Sequence, residues 1–156
     1  MIRRLDSLDR ALLVCLQRHN LQTADALAEQ VGRSPSAVAR RLRRLRATGV
    51  IAADVALISE EAAGQPLSAI VQVQLDRHAP QQGDALRRRL IASPNVQLCL
   101  DISGAFDILL LVVAADMDDY NAFTIAHLEE QPAVRRLETS FVKKRIKATL
   151  AVPIQL

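Results

Sequence analysis

The chain has 156 residues, 50% of them hydrophobic and 24% charged, with a net charge of +3. That suffices for one average domain or two small ones, and no apolar run approaches the ~20 residues of a membrane span. The opening Met-Ile-Arg-Arg-Leu-Asp-Ser lacks the apolar core of a signal peptide, and Cys15 and Cys99 lie far apart in apolar contexts, so a cytoplasmic protein with reduced core thiols is expected.

The charge is unevenly placed. Residues 1–53 hold ten Arg against four acids, a net +6, and residues 54–156 carry a net −3. This asymmetry points to a polyanion-binding N-terminal part and a C-terminal part with another task. With no Trp, one Tyr and three Phe, stacking on single-stranded bases is a poor candidate mode.

The first predicted helix spans about Ser7 to Gln17, capped by Asp6 or Ser7, with Leu8, Leu12 and Leu16 as its stripe and Asp9 in its first turn. Thr23 can cap a second helix that runs to Val31. Gly32-Arg33 is a tight turn into a third, from Ser34 to Gly49. Ser34 is its cap, Pro35 suits the first helical position, and Gly49 marks its stop. Val38, Leu42 and Leu45 form one apolar stripe, and Ser36, Arg40, Arg43 and Arg44 lie opposite. Six Arg and no acid fall between Glu29 and Asp54. The layout is a helix-turn-helix. Val50-Ile51 and Val55-Ala56-Leu57 are expected to pair as a wing. In this reading Ser34, Ser36, Ala37 and Arg40 meet the major groove of double-stranded DNA, with Arg33, Arg41 and Arg44 toward phosphates.

Ser59 to Pro66 is polar, with Gly and Pro, and reads as a linker. It divides a winged helix-turn-helix domain over 1–58 (helix-turn-helix about 23–48) from a second domain over 67–156. Beyond the linker the pattern is strand (Ser68–Leu75), helix (Gln81–Ile91), strand (Val96–Ile102), strand (Phe106–Val113), helix (Met117–Glu130), strand (Val134–Val142), with another strand expected at Ile146–Val152. This is an α+β chain whose second part is ferredoxin-like, βαββαβ. The helix Met117–Glu130 is expected to carry Met117, Tyr120, Phe123 and Leu128 inward. Ile108 to Val113 is apolar on both faces, so the sheet's second face needs a cover. The same sheet from another copy supplies one, giving a two-fold homodimer.

Enzyme signatures do not emerge. His19, His78 and His127 are isolated, with no ligand spacing to either cysteine, and no phosphate-binding loop or nucleophile elbow appears. No cofactor or metal is expected. Arg87-Arg88-Arg89 reads as a solvated helix face. The turn Ser103-Gly104-Ala105-Phe106-Asp107 has two readings. It is an ordinary hairpin turn with a locally paired Asp. Alternatively, exposed N–H groups at Gly104 and the Asp107 carboxylate together hold a zwitterionic head group.

The sequence resembles the Lrp/AsnC family of transcription regulators. Leu5-Asp6-x-x-Asp9-x-x-Leu12-Leu13 is similar to its opening helix, and Leu27-Ala28-x-x-Val31-Gly32-x-Ser34-Pro35-Ser36-Ala37-Val38-x-Arg40-Arg41-Leu42-x-Arg44-Leu45-x-x-x-Gly49-Val50-Ile51 to its helix-turn-helix. Gly104-Ala105-Phe106-Asp107 matches its Gly-x-x-Asp turn, and Pro132-x-Val134 followed by Thr139-Ser140 also fits. Departures fall at Asn20–Thr23, at Ala53-Asp54 and at Phe106, where Tyr is frequent. The resemblance implies a sequence-specific DNA-binding regulator, not an enzyme, modulated by a small molecule, an amino acid. It places that effector at Ser103, Gly104 and Asp107, with Thr139 or Ser140 contributed by a neighbouring subunit, and it implies assemblies of dimers. The alternatives from the residues themselves are a low-specificity DNA-organising protein and an enzyme built on a ferredoxin-like domain.

Overall fold

The computed structural model describes residues 5–76 and 80–155. His78 and the start of the fourth helix's approach lie outside the described residues. The chain divides into two compact units, Met1–Leu57 with Lys147–Leu156, and Ile58–Ile146.

The first unit contains α1 (Ser7–Arg18), α2 (Ala24–Val31) and α3 (Pro35–Ala47). Each starts where a short polar side chain accepts an orphaned N–H: Asp6 from Asp9, Thr23 from Ala26, Ser34 from Ala37. Gly32 at φ +63° makes the left-handed turn that joins α2 to α3. Leu12, Leu16, Leu27, Ala28, Val38 and Leu42 meet in one small core, with Ile51 packed beside it.

The expected wing is not formed: residues 52–59 belong to no strand. Ile51 N–H instead donates to the Leu45 carbonyl at 3.1 Å, finishing the end of α3. Asp54 turns back to Arg46 Nε at 2.7 Å. Ala52-Ala53-Asp54 has no Gly or Asn for the positive φ of a tight hairpin, and Val55, Leu57 and Ile58 are left exposed.

The second unit contains β1 (Leu67–Leu75), α4 (Pro80–Ala92), β2 (Val96–Asp101), β3 (Ile108–Ala114), α5 (Met117–Thr124) and β4 (Val134–Phe141). The four strands form one antiparallel sheet in the order β2-β3-β1-β4. Ala69, Val71 and Val73 of β1 and Ile108, Leu110 and Val112 of β3 pack under Leu86, Leu90, Tyr120, Phe123 and Leu128. After α5 a single π turn, Ile125–Glu129, inserts one residue into the helical period. It brings Leu128 into the core and leaves His127 beside the Phe123 ring, centroids 5.0 Å apart. Met117, expected inward, is 44% exposed because it occupies the first turn, ahead of the part of α5 that meets the sheet.

Two boundaries differ from the sequence reading. Ser59–Gly64 folds into turns: Ser59 Oγ accepts from Ala62 N–H at 3.1 Å, and Glu60 pairs with Arg145 and accepts from Ser68 Oγ. The segment therefore belongs to the second unit. The strand expected at Ile146–Val152 is absent. Residues 147–156 join the first unit, where Val152 N–H donates to Gln17 Oε1 at 2.7 Å and Gln17 Nε2 to Val152 O at 3.0 Å. A side-chain amide has taken the place of a strand partner, and Pro153 cannot donate to a ladder. No helix among the described residues is long and apolar enough to cross a membrane.

Candidate nucleic-acid interface and effector turn

The interface begins with how α3 is held. Val38, Leu42 and Leu45 are buried, which fixes one side of the helix inward. At 100° per residue, Ser36, Arg40 and Arg43 then point outward, and all three are exposed. Arg33 and Ser34 at the helix start are exposed, Ala37 is half-buried, and Ser34 Oγ lies 3.3 Å from Ser36 Oγ. The first turn of α3 thus offers two hydroxyls, a small side chain and a helix N-terminus, followed by Arg40 one turn on. Such a surface can hydrogen-bond base edges and phosphate oxygens.

The arginines are not equivalent. Arg41 Nη1 donates to Asp9 Oδ1 at 3.0 Å and also pairs with Asp6. Arg44 Nη2 lies 2.6 Å from both Asp9 oxygens. The Asp9 N–H and the Arg41 guanidinium hold the Asp6 carboxyl below the usual carboxylate range, and Asp6 in turn raises Arg41. Arg46 is paired with Asp54. Among the described residues, Arg40 and Arg43 meet no carboxylate. The stretch is uncompensated in sequence but half compensated in space. Asp9 carries two of these arginines, although its position in the sequence suggests only a favourable charge in the first turn of α1.

At the other candidate, Gly104 adopts φ +140°, and Ser103, Gly104 and Ala105 are exposed. The base of the turn is closed: Ile102 N–H donates to Asp107 O at 2.9 Å and Asp107 N–H to Val73 O at 2.9 Å. One carboxylate oxygen of Asp107 accepts from Leu75 N–H at 2.7 Å. That is the locally paired Asp of the simpler reading, and it leaves the second oxygen on a half-buried side chain. Among the described residues, the N–H groups of 103–106 find no acceptor. Phe106 lies under the Arg136 guanidinium, 5.7 Å from the ring centroid.

Thr139 and Ser140 do not join this turn within one chain. β3 and β4 flank opposite edges of β1, and Thr139 aligns with Val71 while Asp107 bonds at Val73. Thr139 faces the helices and shares a 2.6 Å hydrogen bond with the Tyr120 hydroxyl, whose pKa burial raises. Ser140, opposite Ile70, faces the other side of the sheet. Tyr120 as a partner of Thr139 had no sequence signal beyond an apolar helix face.

The sheet's helix-free side collects Ile70, Leu98, Leu100, Leu109 and Leu111, since directly opposed residues share a face. Leu98 and Leu100 are 40% and 43% exposed. Alternation in β2 left its inner side open; Cys99 takes it, and the two leucines face out. Cys15 and Cys99 are both free and half-buried, and Cys15 packs beside the first core. Arg87 pairs with Asp101 and Asp84, while Arg88 and Arg89 are exposed. No group of three or more metal-ligating side chains occurs among the described residues.

Comparison with known proteins agrees with this layout. The family described as Lrp/AsnC ligand binding domain matches residues 68–152, and a winged helix-turn-helix DNA-binding family matches residues 5–52. An uncharacterised HTH-type transcriptional regulator of Sinorhizobium fredii is 40% identical over 97% of this chain and 90% of its own. The DNA-binding transcriptional activator DecR of Escherichia coli is 30% identical over 97% of this chain and 99% of its own. A transcriptional regulator of Neisseria meningitidis, solved as an L-methionine complex, superposes with a TM-score of 0.87 at 31% identity, over 96% of this chain and 97% of that one. With both parts matched over most of their length, this chain belongs to the Lrp/AsnC family of helix-turn-helix transcriptional regulators.

Proposed function

We propose that α3 enters the major groove by its first turn, with Ser34, Ser36, Ala37 and Arg40 at base edges and Arg33 and Arg43 at phosphates. The observation that carries this reading is the outward, carboxylate-free Arg40–Arg43 side of α3 beside an exposed, capped N-terminus. The unit that ends at Leu57 and takes up the residues from Lys147 is the DNA-reading part, and Ile58–Ile146 is the sensing and pairing part. The chain acts in the cytoplasm as a regulator rather than an enzyme. It pairs through the open apolar sheet face, so its operator is pseudo-palindromic, with half-sites one helical turn or a multiple apart. Dimers then assemble further. The effector is an amino acid held at Ser103–Asp107, its carboxylate on the free N–H groups and its ammonium on Asp107. Thr139 or Ser140 of a neighbouring copy completes the site. The L-methionine found on the Neisseria relative supports that ligand class.

The test is selection of bound duplexes from a random pool. Wild type should enrich a two-fold site over bulk DNA by a ratio of at least ~10³. Arg40→Ala should relax preference at one base pair per half-site, a loss of ~1–3 kcal/mol there. A pool that enriches no motif would favour a DNA-organising protein of low specificity.

A further inference from the structure

Asp6 and Asp9 stand at the start of α1, and both turn to α3. Asp9 is 2% exposed, yet it is a carboxylate. Arg44 at 2.6 Å and Arg41 at 3.0 Å are what make its burial tolerable. With Asp6 on Arg41, two carboxylates meet two guanidiniums and the cluster is neutral. Arg41 and Arg44 are three residues apart and share the α1 flank of the helix, whereas Arg40 and Arg43 lie on its outward side.

We propose that Asp6 and Asp9 are the specificity-setting pair of the DNA unit: they hold Arg41 and Arg44 off the phosphates and fix the rotation of α3 about its own axis. The proposal rests on the reading of α3 as the DNA-facing helix. Phosphate contacts strengthen binding to every sequence alike, so each arginine kept from them lowers non-specific affinity without touching base recognition. For Arg44 to reach a phosphate it would have to abandon a buried anion, which is unfavourable. Asp6 is the separable member. It is half exposed, and it caps α1 by accepting from Asp9 N–H at 2.8 Å. Asn caps as well as Asp but carries no charge, so Asp6→Asn removes one of the two carboxylates that hold Arg41, leaves it only Asp9, and keeps the helix start.

A merely structural pair would lower specific and non-specific binding together when broken. A restraining pair moves them apart. The experiment uses the full chain as wild type, Asp6→Asn, Asp9→Asn and Arg41→Gln. Each is titrated with the duplex enriched by wild type and with a scrambled duplex of equal length, by fluorescence anisotropy between 50 and 200 mM KCl. Asp6→Asn should bind the scrambled duplex several-fold tighter. Its salt slope should steepen by up to about one unit, an extra loss of affinity of up to ~4-fold across that salt range. Asp9→Asn, where it folds, should steepen the slope further, and in both the enriched-to-scrambled ratio should fall several-fold. Arg41→Gln should keep the wild-type slope. Two results overturn the proposal: Asp6→Asn that melts like wild type with unchanged slope and ratio, or Arg41→Gln that flattens the slope by a full unit. A pool in which wild type enriches nothing would remove the DNA reading of α3 itself, and the proposal with it.

Discussion

The arginine side of α3 and the apolar strand β3 are the two loudest stretches of this sequence, and the fold treats them in opposite ways. Of the six arginines from 33 to 46, three are answered inside their own unit, by Asp6, Asp9 and Asp54. The apolar surplus of β3 is not answered inside its own. One face of the strand is buried under α4 and α5. The other, with Leu109, Leu111, Ile70 and the β2 leucines, is met at its Ser68 end by Glu60 and Arg145 and, among the described residues, carries no helix. The difference is one of reach. A single carboxylate on a neighbouring helix neutralises a guanidinium, whereas an open sheet face needs an area that only another layer provides.

The comparison is broken most directly at Leu111. Wild type should sediment as a dimer or larger at micromolar concentration. Leu111→Asp places a charge in the middle of the proposed contact and should weaken self-association by ~100-fold or more, close to 3 kcal/mol. A wild-type monomer at micromolar concentration would mean that the open face is tolerated in water. Next in size is Asp9→Ala in the other unit. It leaves two guanidiniums without their buried anion. Because both reach water, the expected loss is toward the lower end of the range for buried pairs, about 2–3 kcal/mol. Urea unfolding of the full chain, followed by helix signal, measures it. A loss under about 0.5 kcal/mol would show that the cluster is a surface ornament of α3.

Most of the architecture was legible because it rests on local signals. Caps at Asp6, Thr23 and Ser34 and the left-handed glycines at 32 and 49 set the helix ends. Period-two patterns gave β1 and β2, and the order of elements gave the sheet. Illegible were the features that depend on a distant partner. Val55-Ala56-Leu57 and Ile146–Val152 have strand composition, but a strand exists only where another backbone lies alongside. β2 alternates cleanly, yet alternation does not say which set faces inward. The arginine stretch was read as uncompensated because two of its acids, Asp6 and Asp9, lie some 35 residues earlier along the chain, as the Asp9–Arg44 pair does, and the third, Asp54, lies just beyond the stretch. At the turn 103–107, the sequence pointed to Gly104 and Asp107. It did not show that Leu75 N–H already occupies one carboxylate oxygen, or that Thr139 and Ser140 point to opposite sides of the sheet.

The turn sharpens the comparison at a smaller scale, since it too has groups left over by its own unit. Gly104→Val forces a β-branched residue to φ +140° and should destabilise the protein by ~1–3 kcal/mol, although the space around a Cβ there is open. Asp107→Asn can still accept from Leu75 N–H through its amide oxygen, so its melting temperature should change little. Calorimetry against the twenty amino acids should show one or a few that bind wild type and neither variant. Equal binding by Asp107→Asn would place the ammonium elsewhere.

The smallest expected effect concerns acid. Asp6 has a depressed pKa in the folded chain, first because Asp9 N–H donates to it and then because Arg41 lies against it. A depressed folded value means that the unfolded chain binds the proton more readily. The stability contributed by Asp6 is therefore complete above the ordinary aspartate pKa and disappears as pH falls through the lower, folded one. Wild type and Asp6→Asn should differ by a constant margin from pH 7 to about pH 5 and converge below about pH 4. The margin should be about 1 kcal/mol or less, because Asp6 is half exposed and its pair with Arg41 is screened by water and salt. Urea midpoints taken at half-unit steps down to pH 2.5 measure this. A margin that grows toward acid would mean that the folded pKa is raised. That would take Arg41 away from Asp6 and leave Asp9 alone to hold both arginines.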